Sequence, residues 1–245
     1  MNALTPMPPA RLEILFARDT ERAVILRRGP TRATAMILWD TRHDRFTEGQ
    51  WIKHKIYAER SHLSPDGRHL IWFGYRGMGH DHRFLGGFTA ISRPPFFTAR
   101  AFFPQGETWG GGGTFVDNRH VWIRSLFARG ARERDLPDGL KAVFHPAAIS
   151  KNLCGKYRSS MLVPDHFVYA DGRRAAIKHA DMERLRAEHP LKTPKDVFFG
   201  MPAPPLPDWC VVRDGCLYRR RQNGDDGLLR DFNAMEFKEL RAPYG

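Results

Sequence analysis

Leu63-Ser64-Pro65-Asp66-Gly67-Arg68-His69-Leu70-Ile71-Trp72-Phe73 places a turn between two runs of strand-forming residues. Asp-Gly suits a tight hairpin because glycine tolerates a positive φ and the aspartate oxygen accepts nearby backbone N–H groups. A strand is expected over His69 to Tyr75, and Leu70, Trp72, Phe115, Val121, Ile123 and Leu217 are the expected core.

Outward from this stretch the same signals recur. Leu12 to Ala17, Arg22 to Arg28 and Ala33 to Trp39 are short apolar runs, bounded by Arg18-Asp19, Gly29-Pro30 and Asp40-Thr41. Phe46 to Ile52, Lys55 to Ala58, Phe88 to Ser92, Phe97 to Phe103, Thr114 to Val116 and His120 to Leu126 continue the series. The connections are short, which predicts a meander of antiparallel strands rather than a βαβ alternation. The domain is expected to run from 11 to 245 behind an extended tail over 1–10.

Asp-Gly pairs fall at Asp66-Gly67, Asp138-Gly139, Asp171-Gly172, Asp214-Gly215 and Asp226-Gly227. With Gly106 counted as a degenerate member, turn glycines stand at 67, 106, 139, 172 and 215, a period of the length that propeller blades use. The stretch Leu63 to Phe73 resembles the blade motif of TolB-type β-propellers, in which a Ser-Pro-Asp-Gly turn joins two strands; Pro104-Gln105-Gly106 and Leu136-Pro137-Asp138-Gly139 are weaker echoes. The resemblance implies an all-β, small or irregular β-propeller-like fold. It carries no catalytic residues, and because propellers of this kind mostly bind proteins it turns the functional expectation toward interaction.

The last third departs from the pattern. Ala180 to His189 has helical spacing and stops at Pro190, and a proline-rich segment follows to Asp208, so 179–208 is expected to be a helical, Pro-rich insertion. Trp209 to Arg220 predicts a final hairpin. Phe232 to Phe237 reads either as a capped helix start, with Asn233 and Glu236 as the box, or as a turn before a closing strand over Glu236 to Arg241.

Lys+Arg number 39 against 27 Asp+Glu, a formal charge of +12, and most of the excess is arginine. Arginine makes bidentate contacts to carboxylate and phosphate, which suits an acidic partner. GC-rich coding raises Arg, Ala, Gly and Pro together and accounts for part of the signal. Cys154, Cys210 and Cys216 are the only cysteines, a set that fits reduced thiols in a cytoplasmic setting. A disulfide across Asp214-Gly215 is the sharper alternative to two small packed thiols. No apolar run is long enough to span a bilayer, and Met1 to Ala10 lacks the apolar centre of a signal peptide.

Few constellations carry chemistry. Gly110 to Gly113 lacks the lysine of a phosphate loop and predicts a bulge or a close backbone approach beside Trp109. His80 and His82 share a face if extended, but no further ligands accompany them, so no metal or cofactor is expected. Asp165-His166, Asp171 and His179 lack a nucleophile context, so no catalytic residue is assigned. Arg173, Arg174, Arg219, Arg220 and Arg221, with Trp109 and Gly111, are the expected binding residues. The sequence therefore points to a non-catalytic module that binds a macromolecule through an arginine-rich face. The expected partner is the acidic surface of a protein; nucleic acid is the alternative, a metal-dependent enzyme using the His80/His82 loop is the third reading, and no membrane is involved.

Overall fold

Ala23 to Leu26 is apolar at every position rather than at every second one, and a strand of that kind must be covered on both faces. A computed structural model meets this requirement by stacking sheets. It describes residues 8–29, 33–77, 86–105, 111–123, 133–144, 166–168, 174–176, 206–222 and 224–244, with the backbone alone at 133–134, 143–144, 166–168 and 174–176.

The chain is all-β. The first sheet is an antiparallel meander of β1 (Arg11–Phe16), β2 (Arg22–Arg28), β3 (Thr34–Asp40) and β4 (Arg45–Ile52). The second repeats that order with β5 (Lys55–Leu63), β6 (Leu70–Tyr75), β7 (Gly87–Ser92) and β8 (Ala99–Pro104). The third contains β9 (Gly113–Phe115), β10 (His120–Ile123), β11 (Glu133–Asp135) and β12 (Lys141–Phe144) in the order β11-β12-β10-β9, with β10 and β12 parallel. A ribbon of β13 (His166–Val168) and β14 (Arg174–Ala176) follows, and β15 (Cys210–Arg213), β16 (Cys216–Arg220) and β17 (Asp226–Asp231) make the last sheet.

Alternation within each strand sends side chains into two different cores. From the first sheet, Val24, Leu26 and Met36 pack against Leu70, Trp72, Ala90 and Phe97 of the second. The intervening residues Ala23, Ile25, Ala35, Ile37 and Trp39 pack against Cys210, Leu217 and Phe232 of the last. The second sheet in turn presents Ile71, Ile91 and Phe103 to Phe115, Val121, Ile123 and Leu140 of the third. The stacking order is therefore last, first, second, third. Leu70, Trp72, Phe115, Val121, Ile123 and Leu217 are all buried, as expected from sequence.

β1, β5 and β9 are the neighbouring strands of successive sheets: β5 touches both β1 and β9. All three begin at the same end of the stack, here termed the front. Turns at the back are tied from sheet to sheet. Asp19 N donates to Pro65 O at 2.8 Å and Asp66 N to Asn118 Oδ1 at 2.9 Å. Among the described residues no contact closes the stack into a ring.

The segment after β17 forms neither of its two expected structures. A turn occurs at Asn233-Ala234, but residues 235–244 then run extended without joining a sheet. Asn233 has other partners than a helix cap: Oδ1 accepts from Ala10 N at 2.9 Å and Nδ2 donates to Asp214 O at 2.9 Å. The segment continues along the edge strand β4. Phe237 packs on Trp51, Lys238 Nζ reaches Glu48 at 3.2 Å, and Gln50 Nε2 donates to Leu240 O at 3.0 Å. Tyr244 ends it at the second sheet, its hydroxyl donating to Arg93 O at 2.8 Å and accepting from Arg93 N at 3.0 Å. Of the expected insertion only 206–208 are described, as loop and turn, and 1–7 of the tail lie outside the described residues.

Candidate functional site

Of the sequence-predicted binding residues, the described Gly111 and Arg219 to Arg221 stand at opposite ends of the stack. Gly111 sits at the front, ahead of β9, whereas Arg219 lies at the back, where its Nη2 donates to Thr41 O and to Asp44 Oδ1, both at 2.8 Å. Its guanidinium also lies 4.5 Å over the Trp209 ring. Arg219 is thus used to fasten the last sheet to the β3–β4 turn. Arg220 and Arg221 are exposed beside it, with Arg220 Nε 3.6 Å from Asp226 Oδ1. Arg174 opens β14, while Arg173, Trp109, His80 and His82 lie outside the described residues.

The glycine run has a steric cause. Gly111 and Gly112 adopt φ of +94° and +77°, and a Cβ at each would strike the Phe73 ring or the Arg60 carbonyl; one on Gly113 would strike the Trp122 carbonyl. The approach also lets Gly112 N donate to the buried Thr89 Oγ1 at 2.7 Å. These glycines are required for β9 to reach the second sheet.

At the back, three turns share one construction. Asp40-Thr41-Arg42-His43, Asp66-Gly67-Arg68-His69 and Asp117-Asn118-Arg119-His120 share the spelling Asp-x-Arg-His. In each the aspartate accepts the backbone N–H two residues on, at 3.0, 3.0 and 2.7 Å. His43 and His120 close onto their own aspartates at 2.9 and 2.8 Å. His69 instead turns inward, where its Nε2 lies 3.3 Å from Asp138 Oδ2. Arg93 Nη2 at 2.6 Å and Arg100 Nη2 at 3.1 Å complete the surround of that carboxylate. Burial lowers the basicity of His69 despite Asp138. The repeated spelling was the available sequence signal for these turns; the His69–Asp138 pairing, 69 residues apart, had none.

The front gathers basic side chains. Arg11, Arg28, Lys53, Lys55 and Arg76 stand there, and none is within ion-pair distance of a carboxylate among the described residues. Strand ends place them: Arg11 opens β1, Arg28 closes β2, Lys53 and Lys55 flank the β4–β5 turn, and Arg76 follows β6. Lys53 and Lys55 lie over the rings of Phe237 and Tyr57, at 4.8 and 4.5 Å. Beside them Arg76, His54, Phe88 and Phe102 line an open hollow of about 200 Å³. Phe102 is 40% exposed and stacks on Phe88 with centroids 5.0 Å apart. Burial, then the charge of Arg76, pushes the His54 pKa down, so the hollow is lined by a neutral imidazole at neutral pH.

The arrangement suits recognition of negative charge with an aromatic contact at its margin. Among the described residues no group of three or more His, Cys, Asp or Glu side chains could hold a metal ion, and no helix is long and apolar enough to cross a membrane. Cys210 and Cys216 are free thiols on opposite faces of their hairpin, since Cys210 pairs with Arg219 and Cys216 with Arg213; burial pushes the Cys210 pKa up to about 11. Comparison with family models, with curated proteins and with solved structures finds no match to this chain.

Proposed function

We propose that this chain is a non-catalytic binding module of propeller-like build that grips the acidic surface of a protein partner with its front rim, in a cytosolic setting. Two features support the propeller-like reading: the first two sheets, both four-stranded meanders, stack face to face with the third sheet beyond them, and β1, β5 and β9 lie side by side pointing the same way. The observation that carries the functional reading is the cluster of basic side chains on the front rim. Arg11, Arg28, Lys53, Lys55 and Arg76 stand together at one end, and among the described residues none has an ion-pair partner, while Lys53 and Lys55 lie over aromatic rings. Unpaired charge of one sign on one rim attracts a partner of the other sign and speeds its encounter. Nucleic acid is the second reading, favoured by exposed Phe102 beside Arg76, a pair able to stack a base and neutralise phosphate.

Binding of poly-glutamate and of single-stranded DNA, titrated against salt, tests the proposal. The triple variant Lys53→Ala/Lys55→Ala/Arg76→Ala should weaken poly-glutamate binding by at least about tenfold at physiological salt, while Arg220→Ala/Arg221→Ala leaves it within about twofold. DNA affinity that survives physiological salt and falls on Phe102→Ala would give the site to nucleic acid instead. Equal effects of the front and back variants would overturn the rim assignment.

A further inference from the structure

Arg11 and Arg28 face each other directly across β1 and β2, and Thr34 continues the same row on β3. Like charges in directly opposed positions destabilise a sheet, so this pair is an unfavourable choice for stability alone. Residues in register share a face, and two positions along β1 Glu13 joins them on the side that looks toward the second sheet. There the irregular stretch of β5 between Tyr57 and His62 brings in Ala58 and Glu59. Together with Leu26 and Ile56 these side chains line a cleft of about 70 Å³ between the two sheets.

Thr34 is one of the residues that line this cleft. It is 1% exposed, and its Oγ1 is buried without a hydrogen-bond partner among the described residues. A buried hydroxyl without a partner costs on the order of 1–3 kcal/mol, and most such groups in folded proteins are satisfied. Glu13 is also held off its ordinary state. Partial desolvation and the nearby Glu59 push its carboxyl above the usual range, while Arg28 and Arg11 pull the other way. The cleft thus contains two carboxylates, two guanidiniums and an unused hydroxyl, packed together without being neutralised by contact.

We infer that this cleft is a binding site for the zwitterionic head of a free α-amino acid, with the ammonium between Glu13 and Glu59, the carboxylate on Arg11 and Arg28, and Thr34 Oγ1 bonded to the ligand. Charge complementarity decides the class. A phosphate or simple carboxylate would satisfy the arginines and be repelled by the glutamates. A metal cation or simple amine would do the reverse. A ligand with both charges one carbon apart uses all five groups. The volume is comparable to that of a few water molecules, which admits the head group and leaves a side chain to project through the open mouth.

Calorimetric titration of the full chain with glycine tests the inference, with acetate and methylammonium as half-ligands. Glycine should bind saturably with one site per chain, and each half-ligand at least about tenfold more weakly. Thr34→Val keeps the side-chain shape; it should weaken glycine about fivefold while the melting temperature stays level or rises, because the orphaned hydroxyl is gone. Thr34→Ser should retain binding and serves if the valine variant does not fold. Glu13→Gln should weaken glycine and methylammonium but not acetate. No saturable glycine binding up to about 50 mM would overturn the assignment, as would equal binding of a half-ligand or unchanged affinity in Thr34→Val. The Lys53/Lys55/Arg76 variant should leave glycine binding intact, which separates this site from the part of the rim those three residues form, Arg11 and Arg28 being common to both.

Discussion

Arg27 on β2 donates from Nε to the Phe232 carbonyl at 3.0 Å, joining the second strand of the chain to the residue that follows the last one. Nη2 donates to Asn233 O at 3.0 Å and Nη1 to Gly29 O, and the Trp51 ring lies 5.4 Å from the guanidinium. Arg27 is 2% exposed, so this cation is paid for by carbonyl oxygens rather than by a carboxylate. Arg27→Met should therefore lower stability by about 3 kcal/mol, since it strands several buried acceptors at once. Urea denaturation followed by tryptophan fluorescence measures it; a change below about 1 kcal/mol would show that the carbonyls find other donors.

Trp72 fills the core between the first and second sheets, 2% exposed, with Nε1 donating to Ser92 Oγ at 2.9 Å and edge-on contacts to Phe88 and Phe97. Trp72→Ala should cost about 3–5 kcal/mol, as large-to-small core changes do. Ser92→Ala, which removes both the acceptor of the indole N–H and the donor to the Phe97 carbonyl, should cost about 1–3 kcal/mol. Thermal unfolding of the two variants side by side checks the ratio.

Stability should decline in acid in two stages. Burial holds the His69 pKa below its ordinary value, outweighing the Asp138 hydrogen bond. The unfolded chain takes up this proton below about pH 6.5 before the folded one does, so stability falls as pH drops from there. Burial raises the Asp138 pKa, but the Arg100 hydrogen bond, the charges of Arg93 and Arg100 and the His69 contact together bring it below normal. Its contribution is complete above about pH 4 and is lost as pH falls through the lowered value. Denaturation midpoints against pH should show a shallower first stage in His69→Gln and a shallower second one in Asp138→Asn. Asparagine is the right replacement because Asp138 has φ of 67°.

Two glycine variants separate backbone strain from steric conflict. Gly139 has φ of +72° with open space where a Cβ would sit, so Gly139→Ala should cost only the strain, about 1 kcal/mol. At Gly111 the added methyl also meets the Phe73 ring, and Gly111→Ala should cost at least about 3 kcal/mol. Equal losses at the two positions would mean that β9 can move away from the second sheet.

The strands were legible because their signals are local. Arg22–Arg28 is found as read, and the other strands of the first two sheets differ mostly at their ends, with β5 continuing to Leu63. Asp66-Gly67 and Asp214-Gly215 make their turns, with φ of +71° and +75° at the glycines. Asp138-Gly139 forms a short 3₁₀ turn instead, closed by Leu136 N donating to Leu140 O at 2.8 Å. The site was not legible. Which arginines are spent inward depends on partners such as Asp44 for Arg219, 175 residues away, and no local pattern encodes that. Thr34 reads as an ordinary strand residue until its hydroxyl is seen to lack a partner. Asn233 has the spelling of a helix cap, but Ala10 and Asp214 compete successfully for its side chain.

The seam between the first and last sheets also sets an order of events in folding. Within each of the first two sheets, neighbouring strands follow one another in sequence with at most eleven residues between them, and can pair as soon as they are made. The contact of Ile25 and Trp39 with Leu217 and Phe232 instead closes a loop of nearly the whole chain, at an entropic cost on the order of 5 kcal/mol. Docking of the last sheet should therefore come late, after a partly assembled intermediate has spent time with Ala23, Ile25, Ile37 and Trp39 uncovered. That apolar face is where a chaperone would bind the nascent protein, and where two unfinished copies would stick together.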